Sequence, residues 1–122
     1  MINEIWKPVP NHPQYEVSNQ GRVRSNHSGE WVIKQPQPNQ GKYGTYNRIA
    51  LWEGGKRKRY YAHRLVAQVF IEGYGTLDSK GKPRNEVNHR NFDTMDNWVE
   101  NLEWCSKSEN VEHWHKNKNL IV

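Results

Sequence analysis

The 122-residue chain carries 18 lysines and arginines against 13 acids, a formal charge of +5, and only 34% of its residues are hydrophobic, with a mean hydropathy of −1.13. No apolar window reaches the roughly 20 residues of a membrane-spanning helix. The single cysteine, Cys105, excludes an internal disulfide and a C-x-x-C zinc site.

The length suits one compact domain or one domain with a small extension. Six tryptophans and six tyrosines predict a thin, aromatic-rich core. The amino terminus lacks a basic segment followed by an apolar run, so the expectation is an intracellular protein in a reducing compartment. The basic excess suits a polyanionic partner, although charge alone does not separate that reading from ordinary solubility.

In chain order, Tyr15 and Val17 alternate with polar residues, Asn19-Gln20-Gly21 signals a turn, and Val23 follows. This predicts a hairpin, with a further strand over Trp31 to Lys34. Residues 35–44, rich in proline, glycine and amides, read as a loop. A second hairpin is predicted from Asn47–Trp52, a turn at Glu53-Gly54-Gly55, and a return over Lys56–Ala62. Leu65, Val66, Val69 and Phe70 then form one helical stripe, with Gly73 as a stop. Residues 73–85 read as an exposed loop. Val87–His89 and Leu102–Cys105 read as paired short strands flanking a loop over 90–100. The pattern Ser106 to Glu109 is a capping box. A helix is expected from there to about Lys116, with a frayed tail over 117–122.

The carboxy-terminal third therefore reads strand, long loop, strand, helix. His89, Asn101 and Asn110 stand at its junctions, twelve and nine residues apart. Val87-Asn88-His89, Asn101-Leu102-Glu103-Trp104 and Ser108-Glu109-Asn110, with His113 beyond, resemble the HNH motif of phage and intron-encoded homing endonucleases. His63-Arg64-Leu65-Val66-Ala67 resembles the helix preceding that motif. Glu4-Ile5-Trp6-Lys7-Pro8-Val9-Pro10 and Tyr15-Glu16-Val17-Ser18-Asn19-Gln20-Gly21-Arg22-Val23 resemble the nuclease-associated NUMOD-type module found upstream of it.

The resemblance implies an α+β chain: a ββα-metal (His-Me finger) HNH nuclease over residues 54–122, with a β-hairpin-rich NUMOD-type extension over 1–53. The two regions are open to forming one compact unit. It also implies metal-assisted hydrolysis of double-stranded DNA, leaving 5′-phosphate and 3′-hydroxyl ends. Asn88 and Asn110 match the metal ligands, His89 the general base, and Asn101 the residue that holds the loop and orients the site. The expected setting is the host cytoplasm of a phage-infected bacterium, and the expected state a monomer or weak dimer.

Elementary chemistry agrees with these roles. A neutral imidazole near pH 7 accepts a proton from water. A hard cation holds phosphate and leaving-group oxygens, and amide oxygens suit Mg²⁺ or Mn²⁺. Neighbouring strand residues face opposite ways, so Asn88 and His89 address different partners. His113, one turn beyond Asn110, is a further catalytic candidate, weighed equally against a solvated helix face. His63 is read as a packing or capping residue, and the tryptophans as core, with Trp104 and Trp114 joining strand to helix. Lys56, Arg57, Lys58, Arg59 and Arg64 form the densest basic patch and, with Arg22 and Arg24 beside the first turn, are the candidate DNA contacts.

One position departs from the family pattern. Asn91-Phe92 stands where Asp-Gly usually follows the catalytic histidine. Glycine serves a left-handed turn there and phenylalanine does not, so altered loop geometry and reduced activity are the expectation. The departure motivates an alternative, a DNA-binding module with a degenerate, inactive site.

Overall fold

The structure, a computed structural model, describes residues 3–41 and 44–117. Strands β1 (Trp6–Val9), β2 (His12–Ser18), β3 (Val23–Ser25) and β4 (Val32–Ile33) form one antiparallel sheet. Strands β5 (Gln37–Gln40), β6 (Thr45–Glu53) and β7 (Lys56–Tyr61) form a second, which feeds directly into helix α1 (Ala62–Phe70). A two-stranded ribbon of β8 (Glu86–His89) and β9 (Leu102–Cys105) precedes helix α2 (Lys107–Asn117). Separate antiparallel sheets with two helices make this the α+β arrangement expected from the sequence.

The first hairpin forms because alternation buries Tyr15, Val17 and Val23 on one face, while Gly21 takes φ +88° in the turn. The Ser18 hydroxyl accepts bonds from the Gln20 and Arg22 amides across that turn. In the second hairpin Ile49 and Leu51 are buried. Gly54 and Gly55, at φ +56° and +79°, supply the two positive φ angles that a type I′ turn needs. The predicted loop over 35–44 is corrected in part. Residues Gln37–Gln40 pair with β6 in register, Pro38 opposite Asn47. As an edge strand, β5 tolerates a proline that has no N–H to give.

One apolar cluster joins the elements. Val9, Tyr15, Val17 and Val23 from the first sheet pack with Ile49 and Leu51, with Leu65 and Val66 of α1, and with Val87, Leu102 and Trp104 of the ribbon. The Tyr15 hydroxyl accepts the Trp52 amide at 2.9 Å, tying the first two sheets together. The expectation of a tryptophan core is corrected. Of the six tryptophans only Trp104 is buried, its indole N–H donating to Ile71 O. Trp31, Trp52, Trp98 and Trp114 are exposed, so Trp114 does not join strand to helix inside the core. Aliphatic side chains and Tyr15 fill that space instead.

The capping box is present. Ser106 Oγ accepts the Glu109 amide at 3.1 Å and Glu109 Oε1 accepts the Ser106 amide at 3.0 Å. The fully buried Ser106 hydroxyl also donates to Asp78, and Arg84 holds both Glu109 oxygens. The 73–85 segment is thereby fastened to the start of α2. The frayed tail expected at the carboxy end lies, beyond Asn117, outside the described residues.

In the first turn of α1, His63 is buried against Tyr46, Tyr61 and His89. Burial pushes its pKa from the usual 6.5 down to about 3, and the neighbouring charges of His89 and Arg64 push the same way. The folded state thus holds the ring neutral, whereas the unfolded chain takes up a proton below about pH 6.5. Stability is therefore complete above pH 6.5 and is lost progressively as pH falls toward 3, at up to roughly 1.4 kcal/mol per pH unit. Urea unfolding at pH 7, 6, 5 and 4 should give a smaller acid loss for His63→Phe than for the wild type. Parallel curves would mean that His63 is already charged in the folded protein.

Candidate active site

The β8–β9 ribbon has two chemically distinct faces. Its core face carries Val87, His89, Leu102 and Trp104. The other carries Glu86 and Asn88 of β8 with their register partners Cys105 and Glu103. Antiparallel pairing sets Asn88 beside Glu103, and the Asn88 amide Nδ2 donates to Glu103 Oε1 at 2.9 Å. From the first turns of α2, Asn110 Nδ2 reaches Glu86 Oε1 at 3.4 Å. With both amide nitrogens directed at carboxylates, both Oδ1 atoms remain acceptors.

That donor set fits a hard divalent cation. It offers two amide oxygens, with two carboxylates beside them, and hard cations prefer oxygen. Among the described residues no three His, Cys, Asp or Glu side chains form a metal-binding group. A cation held here would have to rely on Asn88 and Asn110. Arg90 forms an ion pair with Glu103 at 3.4 Å, which offsets part of the negative charge on this face.

On the core face, His89 is 5% exposed and its Nε2 donates to Asn97 Oδ1 at 2.8 Å. Burial lowers its pKa, opposed by the Asn97 hydrogen bond and by the charges of Asp93 and Asp96. The ring is therefore neutral near pH 7. The edge of His63 lies 4.9 Å away between ring centroids and Tyr46 lies 6.2 Å away. His63, read from sequence as a packing residue, does pack, and what it packs against is His89.

Asn101 closes the loop between the strands. Its Oδ1 accepts the Asn91 amide at 3.0 Å, and its Nδ2 donates to the Asp96 carbonyl at 2.8 Å. The Arg90 amide donates to the Asn101 carbonyl at 2.7 Å. The expectation of altered geometry at Phe92 meets a different outcome. Phe92 itself adopts the left-handed turn, at φ +67°, and its amide donates to the His89 carbonyl at 3.0 Å. A non-glycine residue pays about 1–2 kcal/mol for that conformation. The Phe92 ring lies face to face on His113, centroids 4.5 Å apart, and this stack also fixes His113.

The candidate DNA contacts separate by environment. Arg22 pairs with Glu4, and Arg24 pairs with Glu16 between the Trp6 and Trp31 rings, so both are engaged within the first sheet. Arg64 donates to the Asn85 carbonyl and lies over Trp104. Lys56, Arg57, Lys58 and Arg59 are all exposed along β7. Sequence reasoning missed Asn97. Its only signal is an amide eight residues after His89, and the contact exists only once the loop has closed.

Residues 4–52 match the NUMOD4 motif. The chain is 37% identical over 109 residues to DNA endonuclease I-HmuI of Bacillus phage SP01, covering 88% of this chain and 56% of that protein. It is 37% identical over 123 residues to an uncharacterised HNH endonuclease of Acanthamoeba polyphaga mimivirus, covering 98% of this chain and 28% of the other. A solved structure described as DNA binding and cleavage by the HNH homing endonuclease I-HmuI superimposes with a TM-score of 0.73 at 35% identity. That match covers 97% of this chain and 62% of the solved one. The chain thus spans about half, or less, of the length of the curated relatives it matches. With a NUMOD4 motif ahead of the histidine–asparagine site and similarity along nearly its whole length, the chain is homologous to the HNH homing endonuclease I-HmuI.

Proposed function

We propose that the protein is a metal-dependent endonuclease that hydrolyses phosphodiester bonds in double-stranded DNA, acting as a phage homing endonuclease inside the infected cell, as a monomer or weak dimer. The observation that carries this reading is the two-faced ribbon. A buried, neutral His89 stands on one face, and next to it Asn88 joins Asn110 in an oxygen-donor set on the other.

His89 acts as general base, taking a proton from the attacking water. With Nε2–H held by Asn97, the lone pair is on Nδ1. Asn101 keeps the loop closed so that the ring is presented in one orientation. Asn88 and Asn110 would hold Mg²⁺ or Mn²⁺, which would supply stabilisation of negative charge during phosphodiester hydrolysis. His113, ordered by Phe92, is assigned to the phosphate side of the same site. The exposed cations Lys56, Arg57, Lys58 and Arg59 track the DNA backbone, and Arg22, Arg24 and Arg64 are assigned further contacts from positions outside that strand.

Plasmid cleavage with and without Mg²⁺ tests the reading directly. His89→Ala should lower the single-turnover rate about 10²–10⁴-fold with DNA affinity nearly unchanged. A mutant cutting within a few-fold of wild type would remove His89 from the chemistry.

A Mg²⁺ titration of cleavage tests the donor set. Asn88→Asp adds a full negative charge and should reach half-saturation at lower metal than wild type, whereas Asn110→Ala removes a ligand and should require more. Identical titrations for the three proteins would move the cation elsewhere, with His113 the first position to try.

The basic strand has its own signature. Neutralising Lys56, Arg57, Lys58 and Arg59 should weaken binding to all sequences alike. If two of the four contact phosphates, the log–log salt slope should shrink by about two, at roughly 0.9 per contact. An unchanged slope assigns the strand to solvent.

A further inference from the structure

The amino-terminal sheet touches the catalytic loop at one closely fitted point. Gly21, in the β2–β3 turn, approaches Asn97 so closely that an added Cβ would stand 2.7 Å from Asn97 Cβ and 2.8 Å from its carbonyl oxygen. At φ +88° Gly21 also occupies backbone space that side chains disfavour. Just beyond the contact, the Val99 amide donates to the Asn19 carbonyl at 2.9 Å. Asn19 is itself anchored, its Oδ1 accepting the Ile5 amide at 2.8 Å. From the other side, Asn101 holds the carbonyl of Asp96, the residue before Asn97. Asn97 is 4% exposed, and its Oδ1 meets His89 Nε2 at 2.8 Å.

We infer that Asn97 is a positioning residue for His89, fixing the imidazole as its Nε2–H tautomer, and that the Gly21 turn of the amino-terminal sheet sets where Asn97 stands. The amide oxygen accepts only from a protonated Nε2, so Nδ1 keeps its lone pair and points away from Asn97. The inference rests on the reading of His89 as general base for its catalytic meaning, but the tautomer is measurable without any cleavage. In this arrangement residues 4–52 are a structural brace for the catalytic ring as well as an extension beside it.

The test combines ring nitrogen and carbon NMR of His89 at neutral pH, single-turnover DNA cleavage, DNA affinity and thermal unfolding. The proteins are wild type, Asn97→Asp, Asn97→Ala and Gly21→Ala. Wild type should show one Nε2–H tautomer, and Asn97→Asp, which keeps an acceptor, should retain it. Asn97→Ala and Gly21→Ala should give a tautomer mixture. Cleavage should fall by about 10²-fold, as for a misplaced catalytic group, with DNA affinity unchanged. An Nδ1–H tautomer in the wild type overturns the inference whatever the variants do, including any that fail to fold. So does an unchanged tautomer in folded Asn97→Ala and Gly21→Ala. A protein that has the predicted tautomer pattern yet cuts no DNA leaves the positioning intact and defeats the nuclease reading instead.

Discussion

The Asn101 side chain holds two separated points of the loop over residues 90–100, the Asn91 amide and the Asp96 carbonyl. Residues 90–100 contribute little apolar surface to the core, Val99 packing against it from the end. A loop of that composition gains little from the hydrophobic effect, so its shape depends on polar bonds whose loss leaves buried groups unsatisfied. Asn91 and Asp93 add local turns, their side chains accepting the Asp93 and Met95 amides. The left-handed Phe92 and the inward-facing Asn97 are tolerable because this frame over-determines them.

As the proposed general base, His89 faces opposing demands. A general base needs an accessible lone pair and a pKa near working pH, while the fold needs an uncharged ring inside a shared core. Burial beside His63 meets the second demand by holding both rings neutral. The acidic pair Asp93 and Asp96 limits how far the His89 pKa falls. The oxygen donors are kept off this apolar side, on the opposite face of the same two strands, by the alternation of side chains alone.

Much of this was legible in the sequence because it is local. Alternation around Tyr15 and Val17, the glycine pair at 54–55, the α1 stripe and the Ser106–Glu109 box each encode an element within a few residues. The order of His89 at the end of β8, Asn101 just before β9 and Asn110 in α2 was readable for the same reason. What escaped depends on distant partners. Strand β5 exists because β6 offers it an edge, although its own residues favour a loop. Most tryptophans lie outside because the aliphatic cluster is already filled. The ion pairs of Arg22 with Glu4 and of Arg24 with Glu16 were likewise invisible in sequence, where the partners lie 18 and 8 residues away. Asn97 has a partner only after two sheets and a loop have met.

The contact between Gly21 and Asn97 has a consequence for how such chains diversify. Exchanging amino-terminal modules between relatives is not a free recombination, because the two positions share one volume that a single extra methyl overfills. A module that brings a bulkier turn demands a compensating retreat of the loop at 97, and with it of the histidine. Covariation across this seam, rather than along either half, is where inheritance of the two parts as a unit would be written.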